Sequence, residues 1–110
     1  MPRAFFDAGV RSTTSSDYPV TDFVPQVRIA AGMRNGVSLD TMIASYTING
    51  AELTFSERDV GSLEVGKAAD LVVIDANLFE LPPDALEKAK TVLTLSAGRE
   101  VFRDASVTMR

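Results

Sequence analysis

The pattern of apolar residues predicts a mixed α/β fold of the α+β kind, with helices first and a small, mainly antiparallel sheet after them. Three observations predict it. Leu39, Met42, Ile43 and Tyr46 recur at i, i+3, i+4 and i+7, the stripe of an amphipathic helix. Leu71, Val72, Val73 and Ile74 form a short unbroken apolar run, the mark of a strand. Val92, Leu93 and Leu95 are followed by Ala97-Gly98 and then by Val101 and Phe102, the order of a β-hairpin.

Taken from the start, the apolar pair Phe5 and Phe6 precedes Asp7, Ala8 and Gly9, which predicts a helix ending at Gly9 and a brief strand after it. Val24, Val27, Ala31 and Met33 fall at near-helical spacing, with Thr21 or Asp22 as N-cap, Pro25 in the first turn and Asn35-Gly36 as the stop. Ser38 caps the next helix, and Asp40 lies at its positive end. Asn49-Gly50 is read as an interruption, with a second short helix over Ala51 to Phe55.

After Ser56 the character becomes extended. Gly61 and Gly66 bracket a tight turn between strands, and Leu71 to Ile74 reads as a strand covered on both faces. Pro82 and Pro83 stop one segment, and Asp84 to Lys88 suffice for a single helical turn. The hairpin follows, and the tail from Ala105 reads as polar chain with room for one more edge strand, giving a sheet of three to five strands.

Composition bounds the function. The 110 residues, 45% hydrophobic and 24% charged, fit one small domain, whose limited burial favours association with another chain. A homo-oligomer, simplest as a dimer, is therefore expected. The net charge of −4 and the scattered 11 Lys and Arg argue against nucleic acid. No apolar run approaches the roughly 20 residues of a membrane span, and no signal peptide is legible, so the expected location is cytoplasmic. Cysteine is absent, which excludes disulfides, thiolate metal sites and a cysteine nucleophile. Histidine is absent too, which excludes a Ser-His-Asp triad and a His-based zinc site; oxygen ligands remain, and these suit magnesium or calcium.

The candidate residue for chemistry is Asp17, in the stretch Ser16-Asp17-Tyr18-Pro19-Val20. Read from its neighbours alone it is a solvated turn residue beside Tyr18-Pro19. Asp70 and Asp75 read as polar ends of an apolar strand, Asn49 as a hydrogen-bonding residue at a helix end, and Tyr46, Phe55 and Phe79 as core or interface. The Gly61 to Lys67 loop lacks Walker spacing and leads into a strand, so its glycines serve a turn rather than a phosphate.

The order of three stretches carries a resemblance. Thr47, Asn49, Gly50 and Ala51 match a threonine-x-asparagine-glycine-alanine helix. Gly61, Ser62, Leu63, Gly66, Lys67, Ala69, Asp70, Leu71, Val72, Val73 and Asp75 match the stretch that follows it, and the hairpin through Phe102 completes the series. The chain from about Asp7 to Phe102 resembles the carboxy-terminal end of the metal-dependent amidohydrolase superfamily, in the branch containing N-substituted formamide deformylase and exoenzyme-like amidohydrolases. The resemblance implies hydrolysis of carbon–nitrogen bonds other than peptide bonds, with a zinc-type divalent metal in the complete enzymes and no cofactor held by this chain alone.

It also implies an architecture: residues 1–55 as the last strand of a TIM-type barrel with the helices after it, and residues 56–110 as part of a composite β-sandwich, together one unit. Asp17 then matches the family's catalytic and metal-binding aspartate, at the carboxyl end of the last barrel strand, where such folds place catalytic groups. The family's other ligands are histidines and often a carboxylated lysine on earlier strands, and a full barrel takes roughly 250 residues. The resemblance thus implies an isolated chain without activity, or a structural module that completes a barrel carried by a companion chain.

Overall fold

A computed structural model describes residues 3–19 and 23–107. In chain order it contains α1 (Arg3–Asp7), α2 (Pro25–Arg34), α3 (Leu39–Tyr46), α4 (Ile48–Leu53), β1 (Leu71–Ile74), a 3-10 turn at Leu78–Glu80, α5 (Pro83–Leu86), β2 (Thr91–Ser96) and β3 (Arg99–Arg103). This is the α+β order that the sequence predicts. The sheet has three antiparallel strands in the order β1-β2-β3.

The helices form where their ends are chemically marked. Ser38 caps α3 by accepting the Thr41 N–H at 3.2 Å, which satisfies one of the donors a helix start leaves free. Pro25 opens α2, where its missing N–H costs nothing. Gly32 of α2 is a contact surface: a Cβ there would lie 2.4 Å from Met42 Sδ, so the helix presents its backbone to α3. The core lies between these helices and α5, with Ile29, Ala30, Val37, Met42 and Leu86 buried and Phe6, Met33, Leu39, Tyr46, Leu78 and Leu81 packed around them. Fully burying a side chain of the size of Met42 or Leu86 contributes about 1.5–3 kcal/mol.

One buried polar residue ties the helices to the sheet. Gln26 in α2 donates from Nε2 to Thr91 Oγ1 of β2 at 3.0 Å. The strand ends are fastened by aspartates, as their sequence position suggested. Asp70 Oδ1 accepts the Ala97 N–H at 2.8 Å, and Asp75 Oδ1 accepts the Lys90 N–H at 2.9 Å. Ala97 and Gly98 both take positive φ, 50° and 79°, the pair of left-handed residues that a two-residue hairpin demands.

Several expectations are corrected. No strand follows Gly9; residues 10–16 are irregular, because no described strand lies beside them to share a ladder. The break between the middle helices falls at Thr47, and Asn49-Gly50 lies inside α4. Phe55 lies beyond α4, at φ 58° and exposed. The single turn predicted at Asp84 starts one residue earlier and ends at Leu86, with Pro83 at its first position. The glycine-bracketed loop leads into β1 but does not follow a strand.

β1 is not covered on both faces: Val72 and Val73 are exposed, since β1 is an edge strand. The two-sided burial belongs to Val92 and Leu93 of the central strand. Residues 104–107 make a turn, with Val107 donating to the Asp104 carbonyl, and no fourth strand occurs among the described residues. The expected caps Thr21 and Asp22 lie outside the described residues, and Val24 stands at the N-cap of α2.

Candidate functional site

The segment that carries Asp17 is laid across α3 and α4. Asn49 of α4 donates from Nδ2 to the Ser12 carbonyl at 3.0 Å. Two residues on, Thr14 donates its N–H to the Ser45 carbonyl at 3.1 Å. The hydroxyls of the same two residues are 2.7 Å apart. Ser45 Oγ donates to the Met42 carbonyl at 2.6 Å. A hydroxyl has one proton, so Thr14 is the donor in the hydroxyl pair. An ion pair between Arg11 and Glu52 adds a further tie to α4.

Past Thr14 the chain turns out to solvent. Asp17 stands exposed at φ 51°, its N–H donating to Ser15 Oγ at 3.3 Å. The Tyr18 ring meets Phe23 edge to face at 5.2 Å. This is the turn geometry that the neighbours of Asp17 suggested. Val20, the last residue of the quoted motif, lies outside the described residues.

The other candidates fall elsewhere. Lys67, in the glycine-bracketed loop, is committed to Glu64 at 3.1 Å and to Ser62 Oγ at 2.7 Å. Hydrogen bonding by Ser62, joined by Lys67, holds the Glu64 carboxyl below its ordinary range. Burial pushes the Tyr46 phenol above its ordinary value, with Arg28 opposing. An open apolar groove of about 620 Å³ runs between α3, the start of α4 and the 61–64 loop, lined in part by Ile43, Ile48, Leu63 and Phe79. Asp17 does not line it.

Ser45 and Gln26 were missed as functional positions. Both are small or medium polar residues on an apolar helical stripe, which is the one signal the sequence offers that a buried hydrogen bond is made there.

With this geometry in view, comparison with known proteins is informative. A family model described as the Amidohydrolase family (Amidohydro_3) matches residues 3–102. The chain belongs to the amidohydrolase family. An imidazolonepropionase of Bdellovibrio bacteriovorus is 37% identical over 107 residues, covering 91% of this chain and 24% of the relative. The N-substituted formamide deformylase of Arthrobacter pascens is 29% identical, covering 87% of this chain and 20% of the relative. An amidohydrolase structure from Thermotoga maritima MSB8 superposes with a TM-score of 0.80 at 31% identity, covering 93% of this chain and 25% of that one.

The resemblance seen in the sequence is therefore correct, and so is the fold class. The chain spans about a quarter of the length of these relatives.

The family generally uses a divalent metal, and the described residues do not fit one. No three His, Cys, Asp or Glu side chains converge on a point among them, and the chain has neither histidine nor cysteine. A carboxylate at an exposed turn can accept a proton or supply one oxygen ligand; alone it does not enclose an ion. No helix among the described residues is long and apolar enough to cross a membrane.

Proposed function

We propose that this chain is the carboxy-terminal part of a metal-dependent hydrolase of carbon–nitrogen bonds other than peptide bonds, and that it is not catalytic by itself. Asp17 is the carboxylate it brings to a centre whose other ligands come from outside these 110 residues. The observation that carries the reading is the contrast between a family match over residues 3–102 and an exposed Asp17 with no group of three ligand side chains among the described residues.

The test is zinc content after dialysis, with amide hydrolysis followed on the same sample. Substoichiometric zinc and no turnover above buffer are expected. One tightly held zinc per chain, lost in Asp17→Asn, would overturn the reading.

A second reading is favoured by the sheet, where Val72, Val73, Val101 and Phe102 are exposed. On this reading the chain is a structural or oligomerisation module. It meets a second copy, or a companion chain carrying the rest of a barrel to which Asp17 is contributed in trans. Sedimentation of the purified chain as a dimer or larger is expected; a monomer at high protein concentration counts against self-association.

A further inference from the structure

We infer that Ser45 and Asn49 are positioning residues for Asp17. This rests on the reading of Asp17 as the carboxylate the chain contributes. The segment from Val10 to Ser16 has no strand ladder to fix it, so its course depends on what side chains and neighbouring carbonyls supply.

Beside the Arg11–Glu52 ion pair, four polar groups on two helices hold it: the Asn49 carboxamide, the Ser45 hydroxyl, the Ser45 carbonyl, and the Met42 carbonyl that orients that hydroxyl. Ser45 is 1% exposed. Burying a hydroxyl costs free energy unless it is bonded, and this one is bonded on both sides. Its place on the apolar stripe of α3 is explained by the anchor.

Asn49 makes the same point. Asparagine is a weak helix former, yet it stands in α4 beside Gly50, and its side chain reaches back 37 residues to Ser12. The segment runs alongside α4 here: a Cβ on Gly50 would lie 4.0 Å from Thr13 Cγ2, at ordinary van der Waals distance. Asp17 lies three residues past Thr14, so a fixed Thr14 confines its Cα to within about 10 Å of the anchor. The asparagine-glycine pair that looks like a turn is thus the clamp on the segment bearing the candidate carboxylate.

The experiment is amide hydrogen exchange by NMR on the full chain, comparing the parent with Asn49→Asp, which keeps the shape and removes the donor. The expected result is exchange at Thr14 about fivefold faster, the effect of one ordinary hydrogen bond. A shifted Asp17 amide resonance should accompany it, with exchange at Met42 and Ala51 unchanged. Lowering the pH through the introduced carboxyl's pKa, about 3.9, restores a donor to Ser12. Thr14 protection relative to Met42 should recover, which a simple loss of packing would not produce.

Thr14→Val tests the same clamp from the segment's side without altering either helix, and should also shift the Asp17 amide. Unchanged Thr14 exchange in Asn49→Asp, or a rise shared equally by Met42 and Ala51, would overturn the inference. These readouts do not involve metal or turnover, so they stand even if Asp17→Asn shows that the carboxylate has no role.

Discussion

In the α2-α3-α5 core apolar side chains turn inward: Met42 and Leu86 are fully buried there. In the sheet Val72, Val73, Val101 and Phe102 stand 43–54% exposed, and only the start of β2 is buried on both faces. Both portions belong to one family match, so the contrast is not between a domain and a disordered tail. The α2-α3-α5 core is packed with residues this chain holds, whereas the sheet, like Phe5 of α1 and Leu53 of α4, leaves apolar side chains exposed.

The largest expected effect tests the first half of the contrast. Met42→Ala should cost about 2–5 kcal/mol in a urea titration, through lost transfer energy and the cavity left beside Gly32. Adding Gly32→Ala to Met42→Ala should cost less than in the parent, since the introduced methyl enters space that Met42 has vacated. Purely additive costs would mean that the two helices do not share this contact.

How much of this was legible in the sequence follows the same division. α3 was, because its stripe and its serine cap are local signals, and Ser38 and Met42 do what the spacing says. The hairpin was, because Ala97-Gly98 must be left-handed for so short a turn. Asn49-Gly50 misled, since a dipeptide that favours a turn locally lies inside α4 here, and the bond of Asn49 to Ser12 is a tertiary contact with no local trace. Residues 10–16 misled for the opposite reason: extended chain becomes a strand only beside another strand. Val72 and Val73 look buried because the sequence records apolar character and not what covers it. Asp17 is named by resemblance alone, and no group of three ligand side chains forms among the described residues.

The link between the halves gives the next effect. Gln26→Ala removes a buried side chain hydrogen-bonded to Thr91 across the boundary and should cost about 1–3 kcal/mol. The telling readout is cooperativity: if that bond couples the halves, exchange at β2 amides should rise more than exchange at Met42. An equal rise would assign Gln26 to the helical core.

A smaller effect probes the sheet itself. Val72→Lys and Phe102→Lys should move the unfolding midpoint of the dissociated chain by no more than about 0.5 kcal/mol, as expected for exposed positions. The same substitutions should lower the sedimentation coefficient if that surface meets a second chain. A loss of several kcal/mol without any change in association would mean that the exposed face packs within the chain and would erase the contrast.

The smallest effect is acid sensitivity, and it too should divide the molecule. Arg103, bound to Glu100 at 2.5 and 2.6 Å, holds the Glu100 carboxyl below its ordinary value of 4.5. The Ser106 backbone N–H, at 2.9 Å, does the same for Asp104, whose ordinary value is 3.8. A carboxyl depressed in the folded state binds fewer protons there than in the unfolded chain, so stability rises with pH across that window. The contribution is fully present above the ordinary values and is lost as pH falls through the folded ones. Both groups are exposed and screened, so the loss is small and shrinks with salt.

Both carboxylates also lie at β3 and the turn after it, away from Met42. Between about pH 5 and pH 3, exchange at β3 amides, corrected for its intrinsic rate, should accelerate ahead of exchange at Met42. Glu100→Gln should remove part of that acceleration. If the α3 and β3 amides respond together, the two portions unfold as one unit at acid pH, and the unpaired sheet is no weaker than the packed helices.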